Sequence, residues 1–557
     1  MDLDRYLIPF QLRHLPLYRF DVVVLGTGVA GNMAALSAAS AGASVALIAK
    51  DTLAETNTSY AQGGVAAVLG PDDSYEIHVA DTLAVGCGIC EVDAVERVVR
   101  GGPAAIDRLI EWGARFDLTR HGMLDLSREG GHSRARIVHA GGAATGAEIQ
   151  RTLNEAVATR AEVTTFERTM ALDLFTDEEG RAIGVLCQSA RGELVVFAAS
   201  EIVLATGGAG QVFRETTNPS IATGDGLAMA LRAGAAVRDL EFFQFHPTCL
   251  YIAGAARVLV SEIVRGAGGK LLDKSGVRFM PEYDVKAELA PRDVVSRACF
   301  DRMVKTGDTN VYLDLSDLER DPHELFPGIS RICHYFGIDI AKNPIPVRPG
   351  AHYMIGGIRV DLDGRTNVAG LWAVGECASS GLHGANRMGS NSLLEGLVLG
   401  ARAGELAATK SRGVPTMPLD QVVRHDRAAP PKDVRINIED MTYSLKALMW
   451  RQMGIVRTGP AIEDARDKIR FWTRAVIGQA ATEPKAFELV NMLTVAGLMA
   501  TSALAREESR GAHFRSEFPK PTDAWRAHTV LQPSVTATHV RALELSREPV
   551  LESTLAR

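Results

Sequence analysis

The fold is decided by one stretch of sequence, Asp21-Val-Val-Val-Leu-Gly-Thr-Gly-Val-Ala-Gly31. Its apolar run predicts a short strand that is buried on both faces of a parallel sheet. The glycine-rich run predicts a tight turn into the Ala-rich residues 32–41, which are compatible with a helix, and residues 44–48 predict a second buried strand. Such a β-α-β unit is typical of dinucleotide binding, because the glycines let the backbone approach a pyrophosphate at the positive end of a helix.

The end of the second predicted strand departs from the usual NAD pattern. An acid normally stands there and binds a ribose hydroxyl, but this strand ends at Ala49 and Lys50, and Asp51 comes one place late. A plain NAD site is therefore disfavoured. Residues 201–208 and 370–376 repeat the pattern of an apolar run followed by glycine, which predicts two further strands of the same nucleotide-binding domain with an insertion between them.

The length of the chain predicts about three or four domains. Residues 411–433 mix prolines with charges and predict a linker. Beyond them, residues 438–453, 460–477 and 485–509 have helical spacing with few glycines. The expected boundaries are residues 1–239 with 354–418 for the nucleotide-binding domain, 240–353 for the insertion and 419–557 for a C-terminal helical domain.

Composition narrows the classes of ligand and the cellular location. The net charge of −7 and the pI near 6.1 argue against a surface for nucleic acid or an anionic membrane. The N-terminal segment lacks the basic and apolar regions of a signal peptide, and the uncharged residues 22–49 are better explained by buried strands and a helix than by a membrane span. We therefore expect a cytoplasmic protein without a membrane partner.

The cysteines and histidines do not predict a disulfide framework or a metal site. Seven cysteines in so long a chain are too few and odd in number for such a framework. Cys87 and Cys90 form a lone C-x-x-C, which we interpret as two loop thiols. The histidines later in the chain lack the H-x-x-x-H or H-E-x-x-H spacing of a zinc site, so no metal is expected.

Short segments rich in Arg, His and Glu carry the remaining chemical signal. Taken singly, each is better explained as a capped turn or a solvated salt bridge than as part of a binding site. Together they indicate a cationic pocket on loops above the sheet, because Arg binds a carboxylate through two parallel hydrogen bonds and His can donate another. These segments are residues 128–132, 244–248, 261–266, 291–293, 352–353 and 382–387.

Several longer motifs, in order, resemble one flavoprotein family. They are TSYAQGG at 58–64, HPT at 246–248, ELAPRD at 288–293, AHY at 351–353 and GLHGANRMGSNSLLEG at 381–396. This pattern is similar to that of succinate dehydrogenase, fumarate reductase and L-aspartate oxidase over roughly residues 20–520. The resemblance implies an α/β fold with a Rossmann-like FAD-binding domain, an inserted α+β capping domain that closes on the ligand, and a C-terminal helical domain.

The same resemblance implies FAD rather than NAD in the glycine-rich site. It assigns backbone groups to the pyrophosphate and acids to sugar or ribityl hydroxyls. The residues implied are Gly26, Thr27, Gly28, Val29, Ala30, Gly31, Lys50, Asn57, Thr58, Ser59, Tyr60, Ala61, Gln62, Gly63, Gly64, Asp225, Glu376, Ser392 and Leu393.

Two positions distinguish between branches of the family. Respiratory members attach FAD covalently through a His five residues before the Gln of A-Q-G-G, where this chain has Asn57, so non-covalent FAD is expected. Glu129, in R-E-G-G-H, stands where L-aspartate oxidases have a Glu for the substrate's α-ammonium. A carboxylate there would repel succinate and select an amino acid. The resemblance therefore favours L-aspartate oxidation over a soluble fumarate reductase or succinate dehydrogenase flavoprotein, and over an FAD-binding module without activity.

The resemblance also implies a mechanism and partners. L-Aspartate would be oxidised to iminoaspartate, with oxygen or fumarate as electron acceptor, and the product would pass to quinolinate synthase in NAD biosynthesis. Arg292 would be the acid–base group or, equally, a positioning and charge-stabilising group, since its pKa exceeds about 12. The segments 139–146 and 265–268 depart from the family pattern. The residues implied to hold the two carboxylates are His246, Ser261, Glu262, His352 and Arg387.

Overall fold

A five-stranded parallel sheet forms the first domain in the computed structural model, which describes residues 3–252, 258–412, 436–477, 483–536 and 538–551. The strand Val22–Leu25 lies at its centre and is completely buried. The two sequence-distant strands predicted to join it do so, which confirms the Rossmann-like arrangement. In spatial order the strands are Leu371–Ala373, Glu201–Leu204, Val22–Leu25, Val45–Ile48 and Val163–Phe166.

Small residues allow two helices to pack closely over this sheet. Helix Val29–Ser40 begins directly after the glycine-rich turn and packs along Asn391–Ser411. A Cβ at Gly404 would lie only 2.1 Å from the Ala34 carbonyl oxygen. This close helix–helix contact fixes the position of the glycine-rich turn relative to the start of helix Asn391–Ser411. Both of these segments line the cavity that is described below.

The inserted segment forms a separate antiparallel sheet with its own apolar core. Its longest strands, Phe243–Leu250 and Ile345–Met354, pair with each other, and helix Arg292–Thr306 packs against both. The α+β insertion predicted from the sequence is therefore present. The sheet order is Phe243–Leu250, Ile345–Met354, Val311–Asp314 and Lys270–Leu272.

The C-terminal part contains three long helices, as predicted, and then a β-hairpin that the sequence did not suggest. The hairpin strands Ala527–Val535 and His539–Pro549 join a six-stranded sheet with the N-terminal strand Leu3–Asp4 and with Val237–Arg238. Most of the predicted linker at 411–433, and the boundary at 418/419, lie outside the described residues.

The other strands and α-helices of the described residues are as follows. The sheets also contain Gly357–Arg359 and Ala378–Ser379 in the six-stranded sheet, Leu17–Arg19, Leu194–Ala198, Ala182–Gln188 and Met170–Thr176 in a four-stranded one, and Val65–Ala66, Ile137–Val138 and Leu126–Ser127 in a small one. The remaining helices are Tyr75–Val85, Val92–Glu111, Thr145–Ala158, Asp225–Arg232, Glu262–Gly266, Pro322–Leu325, Pro327–Tyr335, Ile438–Gln452, Gly459–Ile477 and Pro484–Ala505.

One helix among the described residues, Pro484–Ala505, is long and apolar enough to cross a membrane. In the fold, 83% of its most apolar window is buried, and it packs against Gly459–Ile477 and Asp225–Arg232. Its apolar surface therefore belongs to the interior of the protein.

Candidate functional site: a cavity with a dinucleotide end and a cationic end

A single cavity of about 610 Å³ lies where the carboxyl ends of the parallel strands meet the inserted sheet. Its volume is typical of a small-molecule site. Parallel α/β sheets place their ligands at this edge, because the strands end there in loops that face one another. The cavity is long, and its two ends differ in their chemistry.

The dinucleotide end is shaped by the glycine-rich turn. Gly26 has a φ of +103°, and a Cβ at this position would lie 2.2 Å from the Ala205 carbonyl oxygen. A side chain is therefore excluded, and the strand ends Leu25 and Leu204 stay close enough for the turn to fit between them. The first turn of helix Val29–Ser40 faces the cavity, and its N–H groups suit an anionic group such as a pyrophosphate.

Lys50 and Asp225 form an ion pair at this same end. The Lys50 ammonium lies 2.8 Å from Asp225 Oδ2 and 2.8 Å from Thr223 Oγ1. Burial lowers the pKa of Lys50, but Asp225 and Glu488 outweigh burial and the pKa is raised overall. Asp225 begins a different helix and thus brings a carboxylate to the cavity beside Lys50, near the strand end at which the sequence lacks an acid.

Asn57 and Glu376 form the middle of the cavity. Asn57 Nδ2 donates to Glu376 Oε2 at 2.8 Å, and the Met354 N–H donates to Glu376 Oε1 at 2.9 Å. Burial raises the pKa of Glu376. Asn57 Oδ1 is buried without a hydrogen-bond partner among the described residues, so it is available to accept from a bound hydroxyl or ring N–H. Together with the glycine-rich turn, this free acceptor fits FAD.

The structure brings together nearly all residues that the sequence assigned to the cofactor. Two of them do not line the cavity. Gly31 packs against the Gly26 carbonyl, where a Cβ would lie 1.9 Å from the oxygen, and Ser59 Oγ donates to the Ala54 carbonyl at 2.5 Å. The cavity-lining residues are Gly26, Thr27, Gly28, Val29, Ala30, Lys50, Asn57, Thr58, Tyr60, Ala61, Gln62, Gly63, Gly64, Asp225, Glu376, Ser392 and Leu393.

Two buried arginines dominate the cationic end. Arg292 Nη1 and Arg387 Nε donate to the same oxygen, Gln244 Oε1, at 3.3 and 3.2 Å. Gln244 is itself fixed because its Nε2 donates to the Arg387 carbonyl at 2.7 Å. Burial and the neighbouring Arg292 lower the pKa of Arg387 to about 10. At neutral pH both guanidinium groups are charged and face one small space, which suits a dicarboxylate.

Glu262 compensates part of this positive charge. Its Oε2 accepts from Arg292 Nε at 2.7 Å, and its Oε1 lies 3.1 Å from Arg265 Nη2. Burial raises the pKa of Glu262, but Arg292 and Arg265 outweigh burial and the pKa is lowered overall. Ser261 begins the short helix that carries Glu262, and its Oγ accepts from the Ile263 N–H. Arg265 therefore contacts Glu262, although the segment 265–268 to which it belongs departs from the family pattern.

Glu129 is the only acid in this end of the described cavity that has no arginine partner at hydrogen-bond distance. Its Oε2 accepts from Ser390 Oγ at 2.7 Å. The side chain is buried, and burial together with the Glu262 charge raises its pKa. A Cβ at Gly389 would lie 2.7 Å from Glu129 Oε2 and 3.0 Å from Arg292 Nη2, so the glycine makes room for a carboxylate beside the arginines.

His246 and His352 complete the cationic end as neutral groups. Their rings meet edge to face with centroids 5.2 Å apart. Burial lowers the pKa of each well below 6.5, and Arg292 and Arg387 lower it further. His246 Nδ1 accepts from the Thr248 N–H at 3.3 Å, which leaves the proton on Nε2, an atom without a hydrogen-bond partner in the described part of the chain.

All seven predicted catalytic residues line this one cavity: Glu129, His246, Ser261, Glu262, Arg292, His352 and Arg387. Sequence reasoning missed three further contributors. Gln244 and Ser390 lie within the segments quoted above, but their contacts with Arg292, Arg387 and Glu129 depend on the fold. The loop 216–222 lines the cavity as well, and nothing in its sequence indicates this. No group of three or more His, Cys, Asp or Glu side chains in the described ranges could hold a metal ion.

Comparison with known proteins agrees with this geometry. Residues 21–393 match the family described as FAD binding domain, and residues 442–555 match fumarate reductase flavoprotein C-term. The chain is 45% identical to L-aspartate oxidase of Streptomyces coelicolor, over 92% of this chain and 91% of the relative. It is 41% identical to the chloroplastic L-aspartate oxidase of Arabidopsis thaliana, over 93% and 84%.

Solved structures with a similar fold include a quinol fumarate reductase chain and an Sdh1 chain. A variant FrdA of E. coli quinol fumarate reductase has a TM-score of 0.89 and 34% identity, covering 97% of this chain and 98% of that one. Mycobacterium smegmatis Sdh1 has a TM-score of 0.83 and 32% identity, covering 97% and 95%. The chain therefore belongs to the L-aspartate oxidase family of FAD-binding flavoproteins.

Proposed function

We propose that this protein oxidises L-aspartate to iminoaspartate with non-covalently bound FAD. The observation that carries the proposal is Glu129, a buried carboxylate beside Arg292 that accepts from Ser390 and has no ion-pair partner at hydrogen-bond distance in the described cavity. The arginines suit the two carboxylates of the substrate, and Glu129 suits its α-ammonium. Asn57 lacks the nucleophilic ring nitrogen needed for a covalent flavin bond.

In this proposal the protein orients and charges the substrate. FAD, when bound, supplies the hydride acceptor. Arg387 binds one carboxylate, and His246 and His352 donate to the carboxylates as neutral groups. Ser261 and Glu262 lie at the same wall, where Glu262 fixes the Arg292 guanidinium through its Nε. A dicarboxylate that carries an amino group gives Glu129 a cation to pair with, whereas succinate does not. The buried Glu129 carboxylate therefore selects L-aspartate over succinate.

Arg292 is the candidate acid–base group of the reaction. A guanidinium group is in general too weak an acid to give up its proton readily, and the Arg292 Nε is already engaged by Glu262. We therefore favour its second role, which is to hold a substrate carboxylate and stabilise charge that develops during oxidation.

The proposal extends to partners and location. Oxygen or fumarate is the electron acceptor, since the contacts that admit an aspartate dicarboxylate also suit fumarate. Iminoaspartate hydrolyses readily, so rapid transfer to quinolinate synthase in NAD biosynthesis is the expected fate. The enzyme is expected in the cytoplasm, with residues 1–239 and 354–418 binding FAD, 240–353 capping the site and 419–557 forming the C-terminal domain.

Anaerobic addition of L-aspartate to the purified flavoprotein tests the proposal, with succinate as the control. L-Aspartate alone is expected to bleach the visible flavin band, and air or fumarate should restore it. Bleaching by succinate alone would support the alternative, a soluble fumarate reductase or succinate dehydrogenase flavoprotein. Bleaching by neither would contradict both substrates.

A further inference from the structure

The C-terminal helix Pro484–Ala505 reaches the dinucleotide end of the cavity through two polar side chains. Glu488 forms an ion pair with the Lys50 ammonium. Asn491, one turn further along, donates from Nδ2 to Asp225 Oδ1 at 2.8 Å. Neither Glu488 nor Asn491 lines the cavity. Both therefore act on the residues that do, Lys50 and Asp225.

Lys50 is fully engaged by protein acceptors. Its ammonium contacts Asp225, Glu488, Thr223 Oγ1 and the Ile221 carbonyl. An ammonium has only three N–H donors, so these four acceptors leave none for a phosphate. Lys50 thus serves to hold the Asp225 carboxylate in place, and Glu488 fixes Lys50 from the opposite side.

Asp225 retains capacity to accept from a ligand. Its Oδ2 accepts from Lys50 and Thr223, and its Oδ1 accepts from Asn491. A carboxylate offers about four acceptor positions, so one remains. Asp225 lines the cavity beside Lys50, which follows the second strand of the β-α-β unit, Val45–Ile48. Dinucleotide-binding folds bind the ribose of the adenosine half near the end of that strand.

The contact extends beyond one ion pair. Asn491 Oδ1 accepts from Arg232 Nη1 at 2.9 Å, so Asn491 touches both ends of the short helix Asp225–Arg232. Arg232 in turn pairs with the buried Asp173 at 2.6 Å. Any shift of the C-terminal helix would therefore move the Asp225 carboxylate.

We propose that helix Pro484–Ala505 is part of the cofactor site, with Glu488 as a positioning residue for the adenosine half of FAD. Binding of the dinucleotide and docking of this helix then stabilise each other, since a coupling between two sites acts equally in both directions. Glu488 sets the position of Lys50, Lys50 sets that of Asp225, and Asp225 accepts from the ribose.

The test compares Glu488→Gln with a control variant at a second ion pair that the same helix makes. Lys485, one turn before Glu488, forms an exposed ion pair at 2.8 Å with Glu439 of helix Ile438–Gln452. Glu439→Gln removes that pair and leaves the Lys50 contacts intact. Affinities of the apoproteins are measured for FAD, for ADP and for FMN, which lacks the adenosine half.

Glu488→Gln is expected to weaken FAD and ADP by the same factor, between about 5- and 150-fold, and to leave FMN unchanged. Glu439→Gln should change none of the three, and flavin reduction in FAD-saturated Glu488→Gln should proceed at the wild-type rate. General destabilisation would weaken all three ligands alike, and that result, or an unchanged ADP affinity, would overturn the proposal.

Hydrogen exchange in the wild-type protein provides a test that needs no variant. ADP added to the apoprotein is expected to slow exchange at residues 484–491 and not at residues 459–466, which begin the neighbouring helix. Equal exchange with and without ADP at residues 484–491 would overturn the proposal. The ligand affinities and the exchange rates are both measured without L-aspartate, so a failure of these two tests is distinguishable from a failure of the proposed reaction.

Discussion

At the dinucleotide end of the cavity the decisive wall is backbone, supplied by one continuous run of residues around Gly26. At the cationic end the walls are side chains from six separate segments, among them Glu129, His246, Arg292 and Arg387. The first end depends on a close approach of two strand ends and fails if a single Cβ is added. The second depends on a balance of buried charges in which Glu262 offsets Arg292 and Arg265.

This difference predicts that the two ends can be impaired separately. A backbone wall has no charge to lose, so damage there should affect cofactor affinity and stability. At the cationic end several segments anchor the charged side chains, so one neutral substitution there should leave the fold intact. It should instead weaken substrate binding or slow flavin reduction. The following predictions test that separation, beginning with the largest expected effect.

Arg292→Leu is expected to lower the rate of flavin reduction by L-aspartate by about 10²–10³-fold or more, because it removes a charge-stabilising donor from a buried site. FAD affinity should stay within about twofold, since Arg292 lies at the other end of the cavity. Stopped-flow anaerobic reduction and FAD titration measure the two quantities. Near-normal reduction would remove Arg292 from the mechanism.

Gly26→Ala tests the opposite end. The added Cβ would meet the Ala205 carbonyl at 2.2 Å in a backbone with a φ of +103°, so we expect a loss of about 3 kcal/mol or more in the free energy of unfolding and no measurable FAD binding. Gly42→Ala is the matched control. Gly42 also has a positive φ, +87°, but open space around it, so it should cost only about 1 kcal/mol and keep FAD. Equal effects of the two changes would contradict the importance of the close approach.

The same difference explains what could be predicted from the sequence. The strand and turn at residues 22–31 and the three C-terminal helices follow from local patterns, and their observed bounds differ from the predicted ones by a few residues. The pairing of Ala527–Val535 with Val237–Arg238 joins segments almost 300 residues apart, and no local pattern encodes it. The same is true of two contacts at the cavity, that of Gln244 with two arginines and that of Glu488 with Lys50. Both join segments that are distant in sequence, and no local sequence pattern predicts them.

Glu129→Gln should raise the KM for L-aspartate by about 10- to 100-fold, the loss expected when a buried charge-assisted hydrogen bond becomes a neutral one. Succinate, which has no ammonium, should bind at least as well as to the wild type, because a repulsive carboxylate has been removed. Steady-state kinetics with succinate as competitive inhibitor measure both effects. An unchanged KM for L-aspartate would end the assignment of Glu129 to the ammonium.

The pH dependence of the KM for L-aspartate should report the titration of Glu129. Burial and Glu262 raise the pKa of Glu129, so as pH falls Glu129 takes up its proton at a higher pH than an exposed glutamate would. The KM for L-aspartate should therefore rise several-fold as pH falls through that raised pKa. Burial lowers the pKa of His246 and of His352 well below 6.5, so neither imidazole takes up a proton near neutral pH. In Glu129→Gln the rise should disappear, and its persistence would assign the titration to another group.

A buried histidine outside the cavity is expected to give the smallest effect, on stability alone. His528, in the C-terminal hairpin, lies 2.5 Å from Asp239 and 3.0 Å from Glu91. Burial lowers the pKa of His528, but the two carboxylates outweigh burial and raise it overall. A raised pKa in the folded state gives stability that is fully present below the unfolded value of about 6.5 and is lost as pH rises through the folded value. Thermal unfolding from pH 6 upward should show a loss of about 1–2 kcal/mol in the free energy of unfolding, and His528→Gln should abolish this loss.

The KM for L-aspartate should not differ between the wild type and His528→Gln, because His528 is absent from the lining of the cavity. A KM that moved with His528 would show that the cationic end is not separable from the rest of the fold.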